Sequence, residues 1–227
     1  MNDAVPYNPL DKKNLGASVA EALLGRKSHS LSGLSTFHGA GIYAVYYTGD
    51  FEADQRLRDQ NQGPDLVAPI YVGKAIPSGG RKGVFAPEGT KSKALFTRLK
   101  EHAESIAATE NLNVKDFQCR FLIVDDIWIP LGESLLIAKF APIWNTLIDG
   151  FGNHDPGKGR HQGMRPRWDV LHTGRAWAEK CQPRLETSAQ IAREVQSHLT
   201  ALIMPKSPHF YVEQNRAAYI VNRDNAD

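Results

Sequence analysis

The chain has 227 residues, 41% of them hydrophobic and 23% charged, with 27 Lys and Arg against 25 Asp and Glu and a formal net charge of +2. That length suits one large domain or two small ones, and the composition is that of a soluble globular protein with a core needing no staples. No stretch approaches the roughly 18 apolar residues of a membrane helix, two cysteines without a CxxC or Cys/His cluster speak against structural zinc, and so small a net charge leaves any nucleic-acid surface to local clustering.

The N-terminus, MNDAVPYNPLDKKNL, carries neither an apolar core nor a basic leader, so neither secretion nor membrane insertion is expected. NLGASVAEALL (14–24) predicts a short amphipathic helix closed by Gly25, and 26–40 reads as a polar, Ser-rich loop. GIYAVYY (41–47) predicts the first strand, ended by Thr48-Gly49-Asp50. A polar segment with room for a helical turn follows, then a second strand over 69–73. The stretch 76–92 is a Gly/Pro/basic loop that includes Arg81 and Lys82. A helix over 94–107, a third strand over 116–124 and a second core helix over 132–140 come next. A helix near 188–202 and a strand-like AAYIV close the chain. No repeat and no regular βαβ alternation is present, which predicts an α+β fold with a small, mostly antiparallel sheet flanked by helices. The expected organisation is a single domain over 1–227, with an N-terminal helix and loop (1–40), a core (41–146) and a C-terminal extension (147–227).

Several residues could do chemistry. In the second strand, alternation puts Ile70 and Val72 on one face and Tyr71 and Gly73 on the other, so Tyr71 faces a site if the first pair faces the core. Gly73 leaves room for close approach, and Lys74 adds charge at the strand end. On the helix over 94–107, Leu95, Leu99, Ala103 and Ile106 form the apolar stripe. Arg98 and His102 share the neighbouring ridge, which on its own would be a solvated flank. Glu133 shares a helix face with Leu136, Ile137 and Phe140, where a carboxylate is costly unless paired or metal-bound; the alternative is an acid in the first helical turn reaching water. Asn145 lies just beyond that helix. The tandem Asp125-Asp126 reads as a solvated turn, and SGGRKG lacks the GK[ST] ending and the strand–helix context of a nucleotide-binding loop. The segment 149–175 gathers Lys158, Arg160, Arg165, Arg167 and Arg175 among glycines.

Taken in order, Gly41-Ile42-Tyr43, Tyr71-Val72-Gly73, Arg98 with His102, Glu133 and Asn145 resemble the GIY-YIG nuclease family. Either tripeptide alone means nothing; the ordered set is specific. The blocks NPLD, GAGIYAVYY, PIYVGKA, RLKEHAESI, DDIWIPLGE, PIWN, GFGNHDPGKGR and WDVLHTGRAWA resemble the branch of type II restriction endonucleases that read CCGCGG, over roughly 7–180. The long spacer 44–70 fits that branch, and YVG replaces YIG.

The resemblance implies hydrolysis of double-stranded DNA in one step around one divalent metal, Mg²⁺ or a substitute such as Mn²⁺, held by Glu133. It implies that Arg98 stabilises the transition state, that Tyr71 orients phosphate or water, and that Asn145 supports Glu133 or the metal's waters. Tyr43 or His102 is the general base, and the sequence leaves that choice open: a phenol normally titrates near 10, whereas imidazole is better placed. Lys74, Arg81, Lys82, Lys158, Arg160, Arg165, Arg167 and Arg175 are expected at the DNA, reading bases or holding phosphates. A homodimer matched to a palindrome, no nucleotide cofactor, no membrane and a bacterial cytoplasm complete the expectation. The rival readings are a GIY-YIG nuclease of repair or mobile-element type, a non-catalytic DNA-binding module, and an unrelated α+β enzyme.

Overall fold

The computed structural model describes residues 8–63, 66–77, 92–155, 157 and 161–202. Helix α1 (Lys12–Leu24) starts where the Asp11 carboxylate accepts from the Lys13 amide, and it stops at Gly25. The stretch expected as loop contains a two-residue strand, β1 (His29–Ser30), and a 3-10 turn at Leu31–Gly33. Strand β2 (Gly41–Tyr47) is buried at every position. A 3-10 turn (Glu52–Asp54) and helix α2 (Gln55–Gln60) supply the helical turn foreseen in the polar spacer. Then follow β3 (Pro69–Ala75), α3 (Ala94–Ala107), β4 (Phe117–Ile123) and α4 (Ile129–Phe140). Helix α4 begins a turn earlier than the apolar spacing suggested because Pro130 is preset for a first helical turn. Short helices α5 (Ile143–Thr146) and α6 (Arg167–Leu171) and the longer α7 (Ser188–Ala201) end the described chain. A reciprocal capping box between Thr187 and Gln190 fixes the start of α7. The AAYIV segment and residues 78–91 of the basic loop lie outside the described residues.

The four strands pair antiparallel in the order β1-β4-β2-β3. The fold is therefore α+β, an antiparallel sheet with helices on both faces. That two-sided cover explains why β2 reads as an unbroken apolar run rather than an alternating one. Ile42, Ala44, Tyr46 and Val72 pack with Leu23 of α1 and Leu136 and Phe140 of α4. Tyr43, Val45, Tyr47 and Ile70 pack with Leu95 and Leu99 of α3, Trp144, Phe151, Trp168, and Ile191, Val195 and Leu199 of α7. Each such fully buried aliphatic side chain stabilises the fold by roughly 1.5–3 kcal/mol.

Simple alternation fails in β3. Val45 pairs with Tyr71 but Tyr46 pairs with Pro69, so a bulge intervenes. Its extra residue brings Ile70 into the cluster that Tyr71 packs against, while Val72 belongs to the opposite cluster. The expected pairing of Ile70 with Val72 on one face is corrected, and Tyr71 still turns toward the α3 side.

Candidate active site

Tyr43 and Tyr71 stand on neighbouring strands beneath α3. Tyr43 faces Gly73 across the β2–β3 ladder. A Cβ on residue 73 would lie 2.6 Å from Cζ of Tyr43, so this glycine makes room for the Tyr43 ring. Tyr43 is fully buried, and its Oη lies 2.6 Å from Nε2 of His102. His102, only 1% exposed, is part of the core rather than a solvated flank. Its ring lies 5.2 Å from that of Tyr71, edge to face, and stacks at 4.5 Å on Phe151.

Burial pushes the Tyr43 hydroxyl well above its usual range, the neighbouring Tyr71 adds to this, and the charge and hydrogen bonding of Arg98 pull the other way. Tyr71 is raised as well, again chiefly by burial. Burial, then Arg98, His154 and Arg175, hold His102 well below the ordinary imidazole value. At neutral pH a protonated phenol therefore meets a neutral imidazole across this hydrogen bond.

Arg98 lies one helical turn before His102. Its Nη2 donates to the carbonyl of Gly152 at 2.7 Å, and its Nη1 to Glu101 at 3.1 Å and to Nε2 of His154. A Cβ on residue 152 would lie 2.8 Å from the Tyr71 hydroxyl and 3.1 Å from Arg98 Nη2, so Gly152 also gives way to the site.

Glu133 sits in α4 on the other side of Lys74. Its Oε2 receives Lys74 Nζ at 2.5 Å, with side chains 18% and 37% exposed respectively. The carboxylate is close enough to oppose ionisation of both Tyr43 and Tyr71. Among the described residues no cluster of three or more Asp, Glu, His or Cys could hold a metal. One half-open carboxylate does not suit a tightly caged ion such as zinc. It does suit a hard cation that keeps most of its waters and completes its shell with phosphate oxygens, as Mg²⁺ does.

Asn145 lies just beyond α4, as expected, but its side chain contacts backbone. Its Oδ1 accepts the Val72 amide and its Nδ2 donates to the Val72 carbonyl, both at 2.8 Å. Because β3 is the sheet edge, Asn145 stands in for a missing neighbouring strand and fixes the backbone between Tyr71 and Gly73. Its polar atoms are committed to that backbone rather than to Glu133.

The segment 149–175 corrects the largest expectation. Arg175 is no surface reader: its side chain is 3% exposed, and it forms a two-pronged pair with Asp169 at 2.6 and 2.5 Å. Its remaining donors reach the carbonyls of Gly150, Phe151 and Asn153, and its guanidinium lies between Trp168 and Trp177, 4.4 and 4.8 Å from their ring centroids. Arg167 donates to the Leu147 carbonyl and pairs with Glu186 and Glu194. Arg165 donates to the Ala178 carbonyl and pairs with Glu179. Lys158, Arg160, Arg81 and Lys82 lie outside the described residues. Sequence reasoning missed Phe151, Gly152, His154 and Asp169 as parts of the site and its support. The signal for them was GFGN itself: Gly150 adopts φ +112°, where a side chain would be strained and would meet Pro166. Asp125 and Asp126 sit in a turn ahead of α4, as expected.

Buried phenol, neutral imidazole, anchored guanidinium and half-open carboxylate thus lie near one another where β2, β3, α3 and α4 meet. No curated protein matches the chain. Residues 35–199 match the family model of the Eco29kI GIY-YIG domain, well over half of the chain. The chain therefore belongs to the GIY-YIG restriction endonucleases of the Eco29kI family, site-specific hydrolases of DNA.

Proposed function

We propose that the protein is a type II restriction endonuclease that cuts both strands of a G/C-only palindrome, CCGCGG by the likeness of its sequence blocks, in a bacterial cytoplasm. The metal is Mg²⁺, with Mn²⁺ as a substitute, and Glu133 holds it. When bound, the ion neutralises charge on the phosphate and on the departing 3′ oxygen. The observation that carries the reading is the buried Tyr43–His102 hydrogen bond beside Arg98, with Glu133 as the neighbouring carboxylate.

This geometry favours a division of labour over a choice between two bases. Tyr43 and His102 are both buried, so exposure does not choose between them; their hydrogen bond lets the two act as one unit, with Tyr43 as the member that takes the water's proton. As the attacking water gives its proton to Tyr43 Oη, the phenol's own proton passes to His102 Nε2. The phenol stays neutral and the imidazole becomes the cation. Burial and Arg98 oppose that cation in the free protein. The arriving phosphodiester carries the opposite charge and offsets Arg98, which raises the basicity of His102 as substrate binds. Arg98, anchored by Gly152, faces the charge that builds on the five-coordinate phosphorus. Tyr71 orients the phosphate, and Asn145 holds the strand that carries it.

Base and phosphate contacts fall to Arg81, Lys82, Lys158 and Arg160, with Lys74 at the scissile phosphate and Arg165 at the rim once released from Glu179. A homodimer supplies one active centre per strand, since one centre cuts one strand and a palindrome has two-fold symmetry. The test is incubation of the purified protein with plasmid DNA, with and without Mg²⁺, followed by sequencing of the ends. Mg²⁺-dependent double-strand cuts at CCGCGG are expected. Cuts at scattered or non-palindromic sites would favour a repair or mobile-element role instead, and no cleavage with any divalent ion would refute the proposal.

A further inference from the structure

Lys74 was expected at the DNA, yet in the free protein it is occupied elsewhere. Its ammonium lies 2.5 Å from Glu133 Oε2, on the carboxylate to which the proposed function assigns the metal. The two groups come from different elements, β3 and α4, so the pair is a tertiary contact and not a chance of local spacing. Glu133 is the more enclosed partner and Lys74 the more open one, which leaves the lysine the freer of the two to move. Lys74 has a flexible four-carbon stem and a point charge that can exchange one anion for another. Its neighbours on β3 do not share this freedom: Val72 is clamped by Asn145, and Gly73 is covered by the Tyr43 ring.

We propose that Lys74 is a latch on the metal site, occupying Glu133 until a phosphodiester arrives. A divalent cation and an ammonium cannot share one carboxylate without strong like-charge repulsion, which the half-buried setting does little to screen. Glu133 also belongs to no group of three or more acidic, imidazole or thiol ligands among the described residues, so the protein gives the cation few ligands with which to outcompete the lysine. A phosphate group changes both sides of the balance. It offers Lys74 a new anion, and it offers the cation oxygen ligands that the protein does not supply. Metal capture is then coupled to DNA, and the free enzyme carries little metal. Lys74 acts on the reaction as a positioning residue, through Glu133.

This inference rests on the assignment of the metal to Glu133, and the test separates the two. Mn²⁺ binding to the full-length, DNA-free protein is followed by electron paramagnetic resonance for wild type, Lys74→Met, Glu133→Gln and the double variant, with thermal unfolding as the check on folding. Wild type and Glu133→Gln should both bind weakly. Lys74→Met should bind roughly tenfold more tightly, because the carboxylate is free, and adding Glu133→Gln should abolish that gain. If Lys74→Met unfolds, Lys74→Gln makes the same measurement with a polar side chain in place of the cation. A variant lacking the lysine charge that is folded and binds Mn²⁺ no more tightly than wild type overturns the latch while leaving the metal assignment standing. A gain that survives Glu133→Gln overturns both.

Discussion

Helix α3 and the segment 149–175 each carry arginine and histidine, and they use them in opposite ways. Arg98 is held from one side by Gly152, Glu101 and His154, and its guanidinium also lies against the phenols of Tyr43 and Tyr71. Arg175 has Nε, Nη1 and Nη2 all engaged by Asp169 and three backbone carbonyls. One guanidinium faces the phenols of the site. The other is a buttress that holds the loop carrying Phe151 and Gly152, and so supports the first. What separates them is how much of the donor fork the protein's own chain has already taken. Density of positive charge along the sequence does not report this.

The largest expected effect breaks the buttress. Arg175→Ala leaves the Asp169 carboxylate buried and unpaired, and loss of one partner of such a pair costs about 3–5 kcal/mol. Urea unfolding should show that loss. Arg165→Ala should stay within about 1 kcal/mol of wild type, as its pair with Glu179 is more open. If Arg175→Ala unfolds like wild type but weakens DNA binding and flattens its salt dependence, Arg175 is a phosphate contact after all.

Arg98→Ala sharpens the other half. It should retain the fold and slow cleavage by roughly a hundred- to thousandfold, about 2.7–4 kcal/mol in the barrier. Tyr43→Phe should be comparably slow, since it removes both the group that takes the water's proton and its hydrogen bond to His102. A nearly wild-type Tyr43→Phe, beside a dead His102→Ala, would make His102 the direct base and sink the relay.

A smaller effect depends on pH. Asp54 is fully buried with neither carboxylate oxygen hydrogen-bonded among the described residues, and burial pushes it from 3.8 up to about 7. The folded state therefore keeps a proton that the unfolded chain releases near 4. Stability from this group falls as pH rises from about 4 through about 7. Asp54→Asn should raise the melting temperature by several degrees at pH 8 and by little at pH 4. Equal shifts at both pH values would mean that the carboxylate ionises freely in place. Asp54 lies beside the packing of α2 and α7, away from the residues of the site, so cleavage rates should not follow this change.

The sequence made one half of this comparison readable and hid the other for physical reasons. Strands β2 and β3 announce themselves because β-branched and aromatic residues cluster between turn signals, and Arg98 with His102 share a ridge at helical spacing. The burial of His102 was not visible, because the ring that covers it, Phe151, lies far along the chain. The bulge at Ile70 left no mark, since bulges depend on the partner strand. Asn145 was visible as a residue of the site but not as a clamp, because its partner is backbone. In 149–175 the positive charges were plain, but their carboxylates were not. Asp169 is six residues from Arg175, a spacing with no helical meaning, and Glu179, Glu186 and Glu194 lie beyond the segment.

On the proposed mechanism this end of the sheet cuts DNA through one metal held by Glu133. Glu133→Gln tests it most directly, with plasmid cleavage and DNA affinity measured on the same preparation in Mg²⁺. A folded variant that binds DNA as wild type does and leaves the plasmid uncut is the expected result. Cleavage at the wild-type rate by Glu133→Gln would contradict it.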